Sequence, residues 1–320
     1  MNNTNEMKKA RLMLIISMTI FGTIGLFVRN ISVSSGELAL YRAVLALVLL
    51  TGYLLVTKQR IPFERIKKEI PLLLFSGMAM GINWILLFEA YKYTTVSVAT
   101  LSYYFAPVLV TAVCPIIFRE KMTKKQAICF VMATVGIVLI TAGDLITGLG
   151  DWLAGGRLTD SISAGQGVSE GAAGTGSRDL LGILFGLGAA VFYATVILLN
   201  KFIKNVAGIH RTFLQFVSAI IILVPYVALT GGCTLGGLDG KGWVCLLIVG
   251  LIHTGLTYCM YFSSLKELPG QKAAILSYID PLVAVFASVL ILSEPLTGLQ
   301  ALGGALILGF TAWNELGSWK

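Results

Sequence analysis

Ten stretches of this sequence are each long and apolar enough to be a membrane span, and they constrain the fold more than any other feature. They cover about residues 12–29, 37–57, 71–91, 94–118, 124–142, 180–200, 209–230, 243–265, 272–293 and 296–314. About 20 consecutive apolar residues in a helix cross the hydrocarbon core of a bilayer. The runs are continuous and do not alternate with period two, which argues against membrane strands. Only 12% of the residues are charged, where a soluble domain carries about 25%. An ordinary soluble enzyme and a disordered chain are both excluded. The first run follows Lys8, Lys9 and Arg11, as in a signal peptide, but no small-residue cleavage site follows it, so a retained helix is expected. The predicted fold class is all-α integral membrane, with ten transmembrane helices.

The formal charge of +8 does not point to nucleic acid. The basic residues form short clusters between the apolar runs, as the excess of cations in cytoplasmic loops requires. Cys114, Cys129, Cys245 and Cys259 lie inside apolar runs and Cys233 stands apart, with no CxxC and no metal-ligand spacing. Neither a disulfide framework nor a zinc site is predicted, and no metal or other cofactor is implied. Residues 143–179 are rich in Gly, Ser and Ala, which reads as a flexible linker between helices one to five (1–142) and six to ten (180–320).

The two halves repeat. At a constant offset of 174, Tyr104, Pro107, Ile117, Glu120, Thr123, Gln126 and Ala127 match Tyr278, Pro281, Ile291, Glu294, Thr297, Gln300 and Ala301. Hydrophobic bias does not supply matched Pro, Glu, Thr and Gln. Five helices is an odd number, so the second repeat must enter the membrane from the opposite side. The charges agree: Arg119, Lys121, Lys124 and Lys125 correspond to Ser293, Pro295, Gly298 and Leu299. A loop that keeps its Glu, Thr and Gln but loses four cations is expected when one copy is cytoplasmic and its twin external. With the N-terminus inside, the cation clusters at 8–11, 58–68, 119–125, 201–211 and 266–272 fall in the cytoplasm, and the net acidic linker falls outside. Both termini are then cytoplasmic, and the plasma membrane is the expected location.

Inverted five-helix repeats suit a secondary transporter, whose halves rock about a site near the midplane. At this point the sequence resembles the EamA-like family of the drug/metabolite transporter superfamily. Thr254, Tyr258, Pro281, Glu294, Thr297, Gln300 and Gly304 sit where its pattern expects them. Ala90, Ala99, Pro107, Glu120, Thr123, Gln126 and Gly136 form a weaker first copy, and Arg42 also fits. The resemblance covers nearly the whole chain outside the linker, which is longer than the family leads one to expect. It implies ten helices and export of small metabolites, often amino acids or their relatives.

Polar groups inside a bilayer are costly and face a cavity or a partner. Asn83 and Trp84 lie near the centre of the third run, and the offset pairs them with Thr257 and Tyr258 in the eighth. Met80 is expected to share a face with Trp84, and Thr254 with Tyr258. Tyr104 and Tyr278 precede the matched Pro107 and Pro281, which are candidate hinges. These residues suggest an aromatic, lightly polar cavity; ordinary helix packing is the alternative. Asp280 matches Ala106, so the repeat did not require its charge. A carboxyl group in low dielectric is readily neutralised by a proton or cation, which makes Asp280 a candidate coupling residue. Alternatively it bonds groups freed by a kink at Pro281. His253 is a candidate for the substrate pathway or a packing residue. Arg42 either binds a substrate carboxylate or snorkels and forms a salt bridge. Glu89 and Lys92 suit a surface ion pair. Glu120 and Glu294 suit caps of the helices that follow them. The pairs Gly77/Gly81 and Gly182/Gly186 mark close helix approaches to unspecified partners.

The leading expectation is therefore a metabolite exporter working by alternating access, with a small-molecule substrate and the lipid bilayer as partners. A homodimer is a candidate assembly, and no nucleic-acid partner is expected. A translocase for nucleotide sugars or lipid-linked groups is a second reading. A membrane-embedded enzyme is a third, but the sequence offers no HExxH, no Ser-His-Asp grouping and no P-loop. The inverted topology is testable with an impermeant thiol reagent on whole cells, with the other cysteines replaced. Cys233 should be labelled and a cysteine placed at Lys124 should not; labelling at position 124 contradicts the arrangement.

Overall fold

The structure, a computed structural model, describes residues 2–59, 61, 66–118, 123–153, 175–203, 205–206, 208–232, 234–267 and 276–316. Among these, every regular element is helical. Glu120, Cys233, Lys272, the cations Arg60, Arg65, Arg119, Lys121, Arg157 and Lys204, and residues 154–174 of the expected linker lie outside the described residues. The first half contains α1 (Asn2–Gly22), α2 (Ile24–Val28), α3 (Ser35–Val56), α4 (Ile70–Tyr93), α5 (Val96–Tyr103), α6 (Ala106–Phe118) and α7 (Lys124–Leu153). The second contains α8 (Thr175–Phe202), α9 (Gly208–Thr230), α10 (Gly240–Leu247), a π-helical segment (Ile248–Leu256), α11 (Thr257–Glu267), α12 (Ile279–Leu290) and α13 (Gly298–Leu316).

Among the described residues, six helical stretches have the length and composition to cross a membrane: Met7–Val28, Ser35–Val56, Lys67–Tyr93, Arg178–Asn200, Gly208–Thr230 and Gly240–Tyr261. Val96–Val110, Ile279–Leu290 and Gly298–Trp313 are apolar but shorter. The multi-pass membrane architecture is clear, while the expected number of ten spans is not reached by uninterrupted helices. Two expected runs, 94–118 and 272–293, are broken at Tyr104–Phe105 and at Tyr278. Helix also extends into the expected linker, to Leu153 in α7 and from Thr175 in α8. Leu145, Leu149 and Trp152 continue the helical apolar spacing of α7 past residue 142.

Local chemistry sets the helix starts. Ser34 and Glu37 form a reciprocal capping box at α3. The Thr95 hydroxyl accepts from the Val98 amide at α5, and Asp239 accepts from the Gly242 amide at α10. The repeat-matched Thr and Gln make the same cap twice. The Gln126 backbone N–H donates to Thr123 Oγ1 while the Thr123 backbone N–H donates to Gln126 Oε1, and Thr297 and Gln300 do likewise at α13.

The two halves interleave. One buried cluster joins Leu38, Ala46, Leu50, Trp84 and Phe88 to Phe216, Leu223, Val249 and Cys259. Another joins Leu101, Ala133 and Ile140 to Ile183, Ala190 and Ile307. Val48, Leu55, Leu229 and Leu290 point outward, as lipid-facing positions do. Helices in lipid gain little from apolar burial, so small residues and polar ties set their contacts. Gly77 and Gly81 of α4 meet α9 at Ser218 and Ala219, and Gly182 and Gly186 of α8 meet Thr94 and Ser102. These are the partners that the two GxxxG pairs left open. Gln215 of α9 donates to Ser76 of α4 at 2.6 Å and to Asn200 of α8 at 2.8 Å, tying three helices. At the α7–α13 crossing a Cβ on Gly136 would stand 2.7 Å from the Gly303 carbonyl oxygen. Backbone cannot yield as a side chain can, so Gly136→Leu should force the helices apart and cost about 1–3 kcal/mol. Thermal unfolding in detergent should detect this. Gly309→Leu is the control, because nothing lies within 4 Å of its Cβ position, and it should unfold near the wild-type temperature.

Candidate functional site

Helix breaks converge on a cavity between the two halves. Irregular backbone at membrane depth persists only where protein or a water-filled space surrounds it, so the breaks themselves locate the site. α1 stops at Gly22 and α2 resumes after Thr23; α5 gives way to α6 at Tyr104–Phe105; a turn at Tyr278 precedes α12. A cavity of about 460 Å³ lies among them. Its wall includes Gly22 and Ile24 beside the first break, Tyr104 and Pro107 beside the second, and Ser277, Tyr278 and Asp280 beside the third. Gly22 is required here: a Cβ at that position would stand 2.5 Å from the Asp280 carbonyl oxygen.

The remaining wall is rich in aromatic residues, with Trp84 and Tyr91 from α4, Tyr103 from α5, Tyr193 from α8, and Tyr258 and Tyr261 from α11. Trp84 meets Phe216 edge to face at 5.2 Å, and Phe216 meets Tyr258 in the same way at 5.4 Å. Trp84 and Tyr258, which the repeat pairs, are thus bridged by one phenylalanine.

Among the described residues two charged side chains line the cavity, one from each half. Asp280 accepts the Tyr104 hydroxyl proton at 2.5 Å. That bond crosses from one repeat to the other and uses the residues flanking two of the breaks. Arg42 is 4% exposed. Its guanidinium lies over the faces of Trp84 at 4.6 Å and Phe88 at 5.1 Å, and Nε has no hydrogen-bond partner. The snorkelling, salt-bridged Arg42 weighed from the sequence is not what the fold contains.

Of the residues singled out in the sequence, Arg42, Asn83, Trp84, Tyr104, Pro107, Tyr258, Tyr278 and Asp280 line the cavity. Asn83 also donates to the Ala189 carbonyl at 2.6 Å, so it serves helix packing as well. His253, Thr257 and Pro281 do not line it. His253 Nε2 stands 3.0 Å from Thr23 Oγ1. Its Nδ1 stands 3.4 Å from the Ile248 carbonyl. His253 thereby ties the π segment to the break in the first run. The Thr254 and Thr257 hydroxyls donate to the carbonyls of Val249 and Ile252, five residues back. This local widening of the helix explains why Thr254, expected to share a face with Tyr258, stays buried behind it. Pro107 and Pro281 occupy the first turns of α6 and α12. There a missing N–H costs nothing, so each proline starts a helix after a break and does not kink one in mid-course.

Glu294 does not cap the helix that follows it. Its carboxylate accepts from the Val96 amide at 2.8 Å, at the N-terminus of α5 in the other half, and from the Ser288 hydroxyl. It also pairs with Arg29 at 2.7 Å, while Arg29 donates to the Thr94 carbonyl at 2.7 Å. One end of the bundle is thus closed by a network spanning both repeats. The expected Glu89–Lys92 pair is present at 3.4 Å. Sequence reasoning missed Tyr91, Tyr103, Tyr193 and Tyr261. Tyr193, within a run that is otherwise almost wholly apolar, was a usable signal.

The comparisons with known proteins agree with this architecture. An uncharacterized transporter of Bacillus subtilis (strain 168) is 28% identical over 283 residues, 88% of this chain and 82% of its own. An uncharacterized transporter of Archaeoglobus fulgidus is 24% identical over 308 residues, 94% of this chain and 95% of its own. The threonine/homoserine exporter RhtA of Salmonella typhimurium is 28% identical over 141 residues, 43% of this chain and 46% of its own. A solved crystal structure shares the fold with a TM-score of 0.60 at 14% identity, covering 95% of this chain and 96% of that one. The EamA-like transporter family matches the chain twice, over residues 8–142 and 180–314, and the protein belongs to that family.

Proposed function

We propose that the chain is a secondary transporter that exports a small metabolite, an amino acid or a related amphipathic or aromatic compound, by proton-coupled alternating access. It does so from the plasma membrane, with both termini cytoplasmic and two inverted five-helix repeats rocking about the cavity. The observation that carries this reading is the aromatic cavity between the halves, with one acid and one guanidinium in its wall. Trp84 and the tyrosines offer stacking surface to an apolar side chain, and the two charges suit a zwitterion. That RhtA exports threonine and homoserine is consistent with this substrate class, and relatedness over two matched segments supports the repeat. A nucleotide sugar carries two phosphates, and among the described residues Arg42 is the one cation in the wall; this favours the smaller solute.

Asp280 is the coupling residue in this scheme. A carboxylate that a proton neutralises on one side of the membrane, and loses on the other, ties solute movement to the proton gradient. Its bond to Tyr104 lets its protonation be felt by both halves. The substrate is identified by comparing metabolites released from overexpressing and deleted cells, and proteoliposomes loaded with that compound then test the mechanism. Asp280→Asn should fold and reach the membrane but lose the dependence of transport on the proton gradient. Trp84→Ala should instead raise KM, by roughly tenfold or more for a lost aromatic contact of ~1.5–3 kcal/mol. Normal gradient dependence in Asp280→Asn would assign Asp280 to structure.

A further inference from the structure

Arg42 carries a buried positive charge that no acid among the described residues neutralises. Each acid near its end of the bundle is already engaged. Glu37, on the same helix, holds Ser34, Tyr41 and Thr234. Glu89 takes the Ser35 hydroxyl and pairs with Lys92. Glu294 is bound to Arg29 and Val96. Asp280, the other charge in the cavity wall, accepts from Tyr104 and forms no ion pair with Arg42. What holds the guanidinium is aromatic, with its central carbon over the rings of Trp84 and Phe88. Such clamping holds the guanidinium but leaves Nε without an acceptor. A buried charge without a counter-charge is strongly unfavourable.

The repeat shows that packing does not demand a cation here. The offset of 174 relates Arg42 to Phe216. Phe216 packs edge to face on Tyr258, where Arg42 lies over the related Trp84. One half fills the position with a phenylalanine; the other places a guanidinium there and opens it to the cavity.

The geometry points to an anion subsite at Arg42, which receives the carboxylate of the transported compound and a small inorganic anion such as chloride when that compound is absent. The planar fork of arginine matches the two oxygens of a carboxylate. The flanking rings restrict approach to the guanidinium edge, so carboxylate and halide compete for one place. This deepens the transport reading above and rests on the cavity being the solute site.

The test uses iodide, a contact quencher of tryptophan fluorescence, on the purified full chain with Trp152, Trp243, Trp313 and Trp319 changed to phenylalanine. Trp84 then reports on Arg42 alone. Saturable quenching is expected, displaced by chloride and by acetate but not by choline. In Arg42→Gln the apparent affinity should fall about tenfold or more, the scale of a lost charge-assisted contact. Arg42→Lys, which keeps the charge but not the fork, should lose acetate displacement more than chloride displacement. Purely linear quenching, or quenching unchanged in Arg42→Gln, overturns the subsite. Displacement by chloride but not acetate overturns the carboxylate assignment. If Arg42→Gln does not fold, the displacement series on the otherwise unchanged chain decides alone. Halide binding needs neither a gradient nor Asp280. Loss of quenching in a chain that still exports therefore rejects the subsite, whereas intact quenching without gradient-driven export rejects the transport reading.

Discussion

Backbone hydrogen bonding in a medium without water is the constraint on which this structure depends. A helix satisfies its own amides, so an apolar run of sufficient length has little choice of fold in a bilayer. The same constraint makes every interruption informative. The breaks at Thr23, at Tyr104–Phe105 and at Tyr278 gather around one cavity, because elsewhere lipid would leave their amides and carbonyls unanswered. The π segment obeys the same rule in another way. Its widened turns are held by the Thr254 and Thr257 hydroxyls, and by His253 bonding across to Thr23. Residues that looked like site residues from the sequence are, in these cases, what allows the site to have irregular walls.

The sequence was most legible where one residue decides one thing. Apolar length predicted helices, and the Thr-x-x-Gln spacing recurs as the caps of α7 and α13. Pairing at constant offset brought Trp84, Tyr104, Tyr258 and Tyr278 toward one place. Legibility failed where the outcome depends on distance through space. Glu294 precedes Pro295, Leu296 and Thr297, so a local cap was the natural reading. Its partners Val96 and Arg29 are 198 and 265 positions away in sequence, and only the assembled bundle brings them near. Tyr193 and Tyr103 stack at 5.2 Å for the same reason. The register of Thr254 failed because the i to i+4 rule assumes an α-helix, which the π segment is not.

The halves cannot be treated as separate domains that happen to be joined. The α7–α13 crossing, the Gln215 tie and both large buried clusters each draw on both repeats. Two of the polar bonds that cross between them lie at different depths. Tyr104 to Asp280 is at the cavity wall, and Glu294 to Val96 is at the end of the bundle that carries Arg29. Relative movement of the halves has to exchange such polar bonds, while apolar faces in lipid slide at little cost.

The repeat supplies shape, and departures from it supply chemistry. Where the halves agree, as at Thr123 and Thr297 or Pro107 and Pro281, the residues start helices. Where they differ, charge enters. Asp280 stands against Ala106, Arg42 against Phe216, and Arg29 against Ile203 under the same offset. Asp280 and Arg29 have companions in the fold that their counterparts could not serve, and Arg42 has a proposed one. Alanine offers no acceptor to Tyr104, phenylalanine no donor to an anion, and isoleucine no partner to Glu294. A perfectly symmetric pair of repeats would enclose a cavity of the same outline with no polarity along it. The asymmetric positions give the cavity an acid, a cation and a polar closure at one end, which a directional process requires and symmetry alone cannot provide.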